Sequence, residues 1–439
     1  MRAIPGVILT AAALWPTLPA AAQPVQPPAA QTDRAARPAD PPRWDFSDHP
    51  RLRLTGTTYV DFRLKVQADD RTFSPAPEKS VETRELSLGR VGIEGQVTRW
   101  IEFEVSRELT GEGQWRGVYV NLRPIAAVQL QAGQFKVPFS RERLTGPTNL
   151  DFVERNVGVE VIAPGYDAGV MLHGRLRRRV LTYAAGVFRG DPDTGHDTAA
   201  DETLPGIAPL RQAPRGLVAW RVTARPLSFD HTPKWLRPLE VGANGTISEI
   251  DESLGGWRAR ALFGGRIFDP VYVSGRRLRL GADALLESGR CSISAEWLRG
   301  LDERRGQGVG DDDLPELEAR TWSIAATAVL TGEDKSRVDR PRRPLFRGGY
   351  GALEVAARVG RLTVGSRDDR GEPPSDNPRG VNLEPNSDLV WTFGINYYPD
   401  RFFRVQLNAI RESFSDVQRT PREGESTFWS YVVRLQLAL

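Results

Sequence analysis

Cysteine is nearly absent. Cys291 is the only one in 439 residues, so no intrachain disulfide can form. Histidine is almost as sparse, at four residues: His49, His173, His196 and His231. With so few thiols and imidazoles, nothing has the ligand spacing of a transition-metal cluster. No G-x-S-x-G occurs, and His173 has no serine motif beside it. The nucleophile and base of a hydrolase therefore lack candidates, and neither an enzyme nor a bound cofactor is expected. An excess of one charge is missing too. Lys and Arg number 59 against 56 Asp and Glu, a net of +3. That excludes the dominant basic face of a nucleic-acid binder. Finally, beyond its first residues the chain has no apolar run near the 18 or so residues of a transmembrane helix. A helical membrane protein is excluded, but a β-barrel is not, because its strands hide their apolarity in alternation. The mean hydropathy of −0.40 suits a soluble protein or a barrel equally.

What is present begins with Met-Arg, an apolar run from Ile4 to Leu14, and Ala20-Ala21-Ala22. This is the order of a secretory signal peptide, with cleavage expected after Ala22. A Pro/Ala-rich stretch follows, and 23–50 reads as a disordered linker that cannot bury a core. From Arg51 to Leu439 one pattern repeats, in which segments of about ten residues alternate apolar and polar between turn-rich connections. The C-terminus is the clearest case. Trp429, Tyr431, Val433, Leu435, Leu437 and Leu439 form one row, and Ser430, Arg434 and Gln436 the other. Residues i and i+2 of a strand share a face, so this is an apolar wall backed by a polar one. Leu389, Trp391, Phe393, Ile395 and Tyr397 repeat the arrangement.

The fold class expected is all-β, a transmembrane antiparallel barrel. A naive pass counts seventeen strands, whereas a bacterial barrel needs an even number. Residues 257–266 make the weakest strand, flanked by Gly255-Gly256 and Gly264-Gly265. Taking 248–275 as a loop leaves sixteen. Tight turns then fall at Thr98-Arg99, Pro124, Arg177 to Arg179, Ser288-Gly289 and Pro399-Asp400. Long loops fall at 67–83, 136–167, 189–215, 248–275, 300–317, 362–388 and 412–426. The connections 226–237 and 331–349 lie on the short-turn side and are longer than the rule predicts. The strand over 84–97 changes parity near Gly89-Arg90, as a bulge would make it do.

Several motifs carry a family resemblance. GQFKVPFSRERLT, Gly133 to Thr145, resembles the GQFKxPFxxE segment of the phosphate-selective porin O and P family. Arg90-Val-Gly-Ile-Glu-Gly95 is similar to its R-x-G-x-x-G strand. Glu154-Arg155 and Pro164-Gly165-Tyr-Asp-Ala-Gly169 follow in its order. So do Leu330-Thr-Gly-Glu333, Leu353-Glu354-Val-Ala-Ala-Arg358 and Gly394-Ile-Asn-Tyr397. The resemblance implies a trimeric outer-membrane barrel with an inward-folded constriction loop, here 136–167. It also implies passage of phosphate or polyphosphate along arginines to a lysine cluster. With only Lys65, Lys79, Lys136, Lys234 and Lys335, such a cluster is hard to build. The expected solute is therefore a small anion, phosphate among others.

Period-two parity points Arg51, Arg53, Arg63, Arg175, Arg221, Arg225, Arg404 and Arg434 into the lumen. Closure should set Arg404, Arg434, Arg51, Arg53 and Arg63 on neighbouring strands as a basic arc, opposed only by Asp61. Guanidinium groups pair bidentately with phosphate or carboxylate, so these are candidate anion contacts. They could equally pair with inward acids and simply fill the wall. Lys136, Arg141, Arg143 and Arg155 are the candidates in the constriction loop, which is not net basic. The partners expected are outer-membrane lipid and small anions, with no nucleic acid. Two alternatives stand beside an anion porin: a general porin of weak selectivity, and a soluble exported β-sheet binding protein. Asp191, Asp193 and Asp311 to Asp313 could hold calcium on surface loops, but such clusters are more often solvated turns.

Overall fold

The computed structural model describes residues 41–439 apart from 48, 78–82, 112, 178–179, 191–214, 255–256, 258, 263–264 and 369–370. The expected signal peptide, most of the expected linker, Lys79, Asp191, Asp193 and His196 lie outside the described residues. A small hairpin, β1 (Arg43–Asp45) with β2 (Arg51–Arg53), comes first. The linker expected to reach residue 50 thus ends in a strand, and Arg51 and Arg53 belong to this hairpin. It pairs with the start of the first wall strand, Arg51 opposite Asp61.

The wall follows. Its first strands are β3 (Tyr59–Ser74), β4 (Arg84–Thr98), β5 (Ile101–Glu108) and β6 (Trp115–Ile125). Next come β7 (Val128–Lys136), β8 (Tyr166–Leu176), β9 (Leu181–Phe188) and β10 (Arg215–Ala224). Then come β11 (Glu240–Leu254), β12 (Tyr272–Ser288), β13 (Cys291–Arg304) and β14 (Leu314–Val329). The last are β15 (Ala352–Ser366), β16 (Asn386–Asp400), β17 (Phe403–Phe414) and β18 (Thr427–Ala438). Each is antiparallel to the next, and β18 returns to β3, from Trp429 opposite Ser74 to Ala438 opposite Lys65. The sixteen strands β3 to β18 therefore close a ring with no free edge, the only way a sheet can sit in lipid.

Alternation sets the two faces. On β18, Tyr431, Val433 and Leu435 are exposed outside, while Ser430, Arg434 and Gln436 are buried inside. On β16, Trp391, Phe393 and Ile395 face out, and Thr392 and Asn396 face in. Trp220, Trp297, Trp322 and Trp391 are all exposed on the outer face, with Trp297 directly opposite Trp322, as in an interfacial aromatic belt. The expected tight turns are present, shifted by a residue or two, and strands run further into the loop side than expected. The described residues of 257–266 add no wall strand, only an isolated bridge between Arg260 and Arg266. A short loop-side connection joins β5 to β6 between Glu108 and Trp115, where no long loop is expected. The parity change in β4 is a bulge: pairing jumps from Gln67–Leu88 to Asp69–Glu85. The wall is uneven in height, since β5 and β9 have 8 residues and β12 has 17.

Candidate functional site

Residues 137–165 leave β7 and cross the barrel interior. Ser140 caps the short helix α1 (Arg141–Leu144), its Oγ accepting from Arg143 N at 3.1 Å. Asn156 caps α2 (Val157–Ile162), its Oδ1 accepting from Gly158 N at 2.9 Å. The loop folds inward because it is apolar where it matters. Val137, Phe139, Val153, Val157, Val159 and Ile162 are buried in one cluster with Leu298, Leu317, Leu362 and Ile410 of the wall. Full burial of each large side chain stabilises by about 1.5–3 kcal/mol. Two glycines permit the approach. A Cβ on Gly158 would lie 2.1 Å from Thr321 Oγ1, and one on Gly360 would lie 2.1 Å from Asn156 Nδ2.

Polar anchors then divide the loop's charges. Three of its acids are met by cations from outside the loop. Glu142 accepts from Arg358 Nη1 at 2.8 Å, Asp151 pairs with Lys335 at 2.6 Å, and Glu154 pairs with Arg71 at 3.0 Å. Arg358 also donates to Glu154 O, and Arg434 donates to Val153 O. Glu296 of β13 accepts from the backbone N–H groups of Arg141 and Glu142. The loop's cations stay near its stem. Lys136 Nζ donates to the carbonyls of Arg143, Leu144 and Thr145, while Arg143 and Arg155 share Glu160 at 2.6 and 3.3 Å. Around the Tyr166 ring at the return of the loop lie Arg90 at 5.8 Å, Arg116 at 5.5 Å and Lys136 at 5.7 Å. Arg90 also donates to Tyr166 Oη at 3.2 Å and pairs with Glu108 at 2.9 Å. An interior loop that narrows a closed barrel, three acids paired outside it and cations at its base, makes a charged constriction.

Residues 60–439 match the family described as phosphate-selective porin O and P. The chain belongs to that family. It is an outer-membrane porin channel by family and by fold, and the soluble alternative falls away. No curated protein matches it. Solved barrels do. OmpT of Vibrio cholerae is 11% identical at a TM-score of 0.51, covering 88% of this chain and 99% of its own. The outer-membrane channel DcaP of Acinetobacter baumannii is 10% identical at 0.52, covering 87% and 98%. Salmonella typhi OmpF, in a complex with daunomycin, is 8% identical at 0.52, also covering 87% and 98%. At such identities the likeness is one of fold.

The porin structure places each expected lumen cation. Arg51 makes two bonds to Asp61, at 2.5 and 2.7 Å, and this carboxylate raises the Arg51 pKa. Arg53 reaches Asp45 at 3.3 Å. Bonds from Ser47, with help from Arg53, hold the Asp45 carboxyl down to about 2. Arg63 pairs with Glu94, Arg221 with Asp283 at 2.7 Å, and Arg225 with Glu240 at 3.2 Å. Arg175 lines a 730 Å³ cavity at the short-turn mouth with Glu102, Asn121, Arg123 and His173. Arg434 is bidentate to Asp69, both bonds 2.7 Å. Arg404 is buried beneath Thr148 and over the Tyr398 ring, with Nε and Nη2 lacking a hydrogen-bond partner. Arg141 lies on α1 with a buried Nε that has none either.

The basic arc needs a correction. Asp61 does not stand alone against it, since Asp45, Asp69 and Glu94 also face these arginines. Asp69 falls within the loop expected at 67–83, but β3 continues to Ser74; Glu94 sits on β4, where the change of parity hides which residues face inward. That same strand holds Arg90, whose only sequence signal was the R-x-G-x-x-G motif. Arg116 gave no signal. Lys335 lies in the long short-side connection expected at 331–349, yet it reaches Asp151 of the constriction loop.

Proposed function

We propose that this porin passes small anions, phosphate or polyphosphate among them, by passive diffusion. The observation that supports this is the division of charge in the constriction loop. Glu142, Asp151 and Glu154 are taken up by Arg358, Lys335 and Arg71, while Lys136 gathers with Arg90 and Arg116 around Tyr166, and Arg143 and Arg155 share the single carboxylate of Glu160. These five cations meet only Glu108 and Glu160 among the acids named with them; an excess of one sign in a confined channel raises the local concentration of counter-ions, and guanidinium groups suit tetrahedral oxyanions. Arg404 and Arg141, with unsatisfied nitrogens, are further candidate contacts. Export would follow cleavage after Ala22. A homotrimer fits the uneven wall. Strands of 8 residues such as β5 and β9 fall short of the 9–11 or so that span a bilayer, so that sector is better placed against another subunit.

The test is a planar bilayer with a salt gradient. The expected reversal potential favours anions, and Arg90→Gln with Arg155→Gln should move it toward zero. A potential favouring cations would remove the anion claim. The second reading, a weakly selective general porin, draws on the many paired wall arginines such as Arg63, Arg221 and Arg225. It expects a potential near zero that the two substitutions leave in place.

A further inference from the structure

The connection from β14 to β15, residues 330–351, has two halves with different surroundings. The first is held under the barrel. Lys335 is buried between Asp151 and Glu354, and Val338 packs with Val329, Ala352 and Tyr398. The second half turns outward. Phe346 meets Phe403 edge to face, with ring centroids 5.7 Å apart. Tyr397 Oη donates to the backbone oxygen of Tyr350 at 3.1 Å. Phe403 and Tyr397 sit on the outer rows of β17 and β16, so this half lies along the lipid-facing surface at the short-turn rim.

Its composition suits that place. Phe346 is 66% exposed, and Leu345 and Tyr350 are exposed beside it. Arg342, Arg343 and Arg347 flank them, all exposed, and Arg343 lies over the Tyr350 ring at 5.8 Å. Apolar side chains continuing the lipid-facing belt, bordered by arginines on the watery side, are the pattern of an interfacial anchor. We propose that 342–350 is a foot that rests on the inner leaflet of the outer membrane and binds the phosphate of an anionic phospholipid. Leu345 and Phe346 enter the acyl boundary, and Arg342, Arg343 and Arg347 bond the headgroup phosphates.

The test uses the full barrel in neutral detergent. Retention of phosphatidylglycerol is compared with that of phosphatidylcholine, and glycerol phosphate serves as the free headgroup. The wild type should retain phosphatidylglycerol preferentially and ignore glycerol phosphate. The preference should fall by about fivefold for each arginine changed to Gln. Phe346→Ser should weaken retention of both lipids. Conductance should be unchanged in all of these variants. If the triple variant does not fold, Arg347→Gln alone carries the comparison. Equal retention of the two lipids, a preference that survives the arginine changes, or capture of glycerol phosphate as effective as that of the lipid would overturn the proposal.

Discussion

Arg358 shows how a single side chain holds the constriction. Its guanidinium is fully inside, with one nitrogen on Glu142 at 2.8 Å, another on Glu154 O at 2.9 Å, and its plane over the Phe152 ring at 4.7 Å. A buried charge is tolerable only when its donors are met, and removing one partner of such a pair costs about 3–5 kcal/mol. Arg358→Met should therefore loosen the loop as well as lower stability. Single-channel traces should become larger and noisier, and the barrel should melt earlier. Adding Glu142→Gln should restore part of the lost stability, because the stranded carboxylate is gone, so the two changes should be less than additive. A quiet trace of wild-type size in Arg358→Met would mean that the apolar cluster alone seats the loop. Alternation over Leu353 to Arg358 sets Glu354 and Arg358 on one polar row, so the inward face of Arg358 is legible in the sequence. Its partner is not, because Glu142 sits 216 residues away and nothing local in the chain marks the contact.

At the scale of elements, 255–271 is the instructive case. Trp257, Ala259 and Ala261 alternate like a strand, and the alternation is real. All three are buried, as are Ile267 and Phe268, but in the barrel interior and not in its wall. Trp257 lies beneath Arg277 at 4.5 Å and Arg279 at 5.3 Å, and packs where Gly300 leaves room. Glu412 accepts from Leu262 N at 2.8 Å, and Asn386 donates to Ile267 O at 2.8 Å. Period two states which side chains share a face, not what that face meets, so a second inward loop could not be told from a weak strand. Only the even-strand rule separated them. The wall strands were legible because lipid outside and water inside impose a contrast on every one of them. Inside the loop half of the barrel that contrast fails, since Leu298, Leu317, Leu362 and Ile410 point inward onto protein. Trp257→Ala should remove a buried ring at a cost of about 3–5 kcal/mol. It should also open the loop-side mouth, seen as higher conductance and as protease cleavage within 255–271. If the segment stays protected, the polar anchors at Glu412 and Asn386 are what hold it.

For the whole molecule the decisive event is closure of the ring. Chain-order neighbours pair across a single connection each, but β18 must find β3 across the length of the barrel domain. Until it does, both strands present open edges, which lipid cannot satisfy. The seam carries its own fastening. Arg434 grips Asp69 with two bonds of 2.7 Å, Gln67 Nε2 donates to Gln436 Oε1 at 2.7 Å, and Leu439 N extends the ladder to Leu64 O at 2.9 Å. Arg434 also donates to Val153 O, so the seam and the constriction loop are pinned by the same residue. Arg434→Met should thus act on both. Asp69 keeps Arg71 at 2.9 Å as a second partner, so the loss should fall near the lower end of about 3–5 kcal/mol. Heat-modified mobility on a gel reports the closed ring, and the temperature at which the compact band disappears should drop. Refolding from urea into micelles should slow, because the last pairing is the one weakened. Asp69→Asn, which keeps hydrogen-bonding capacity but removes charge, should shift the melting less than Arg434→Met. If Arg434→Met melts and refolds like the wild type, backbone pairing alone closes the barrel and the seam's ion pair serves the loop only.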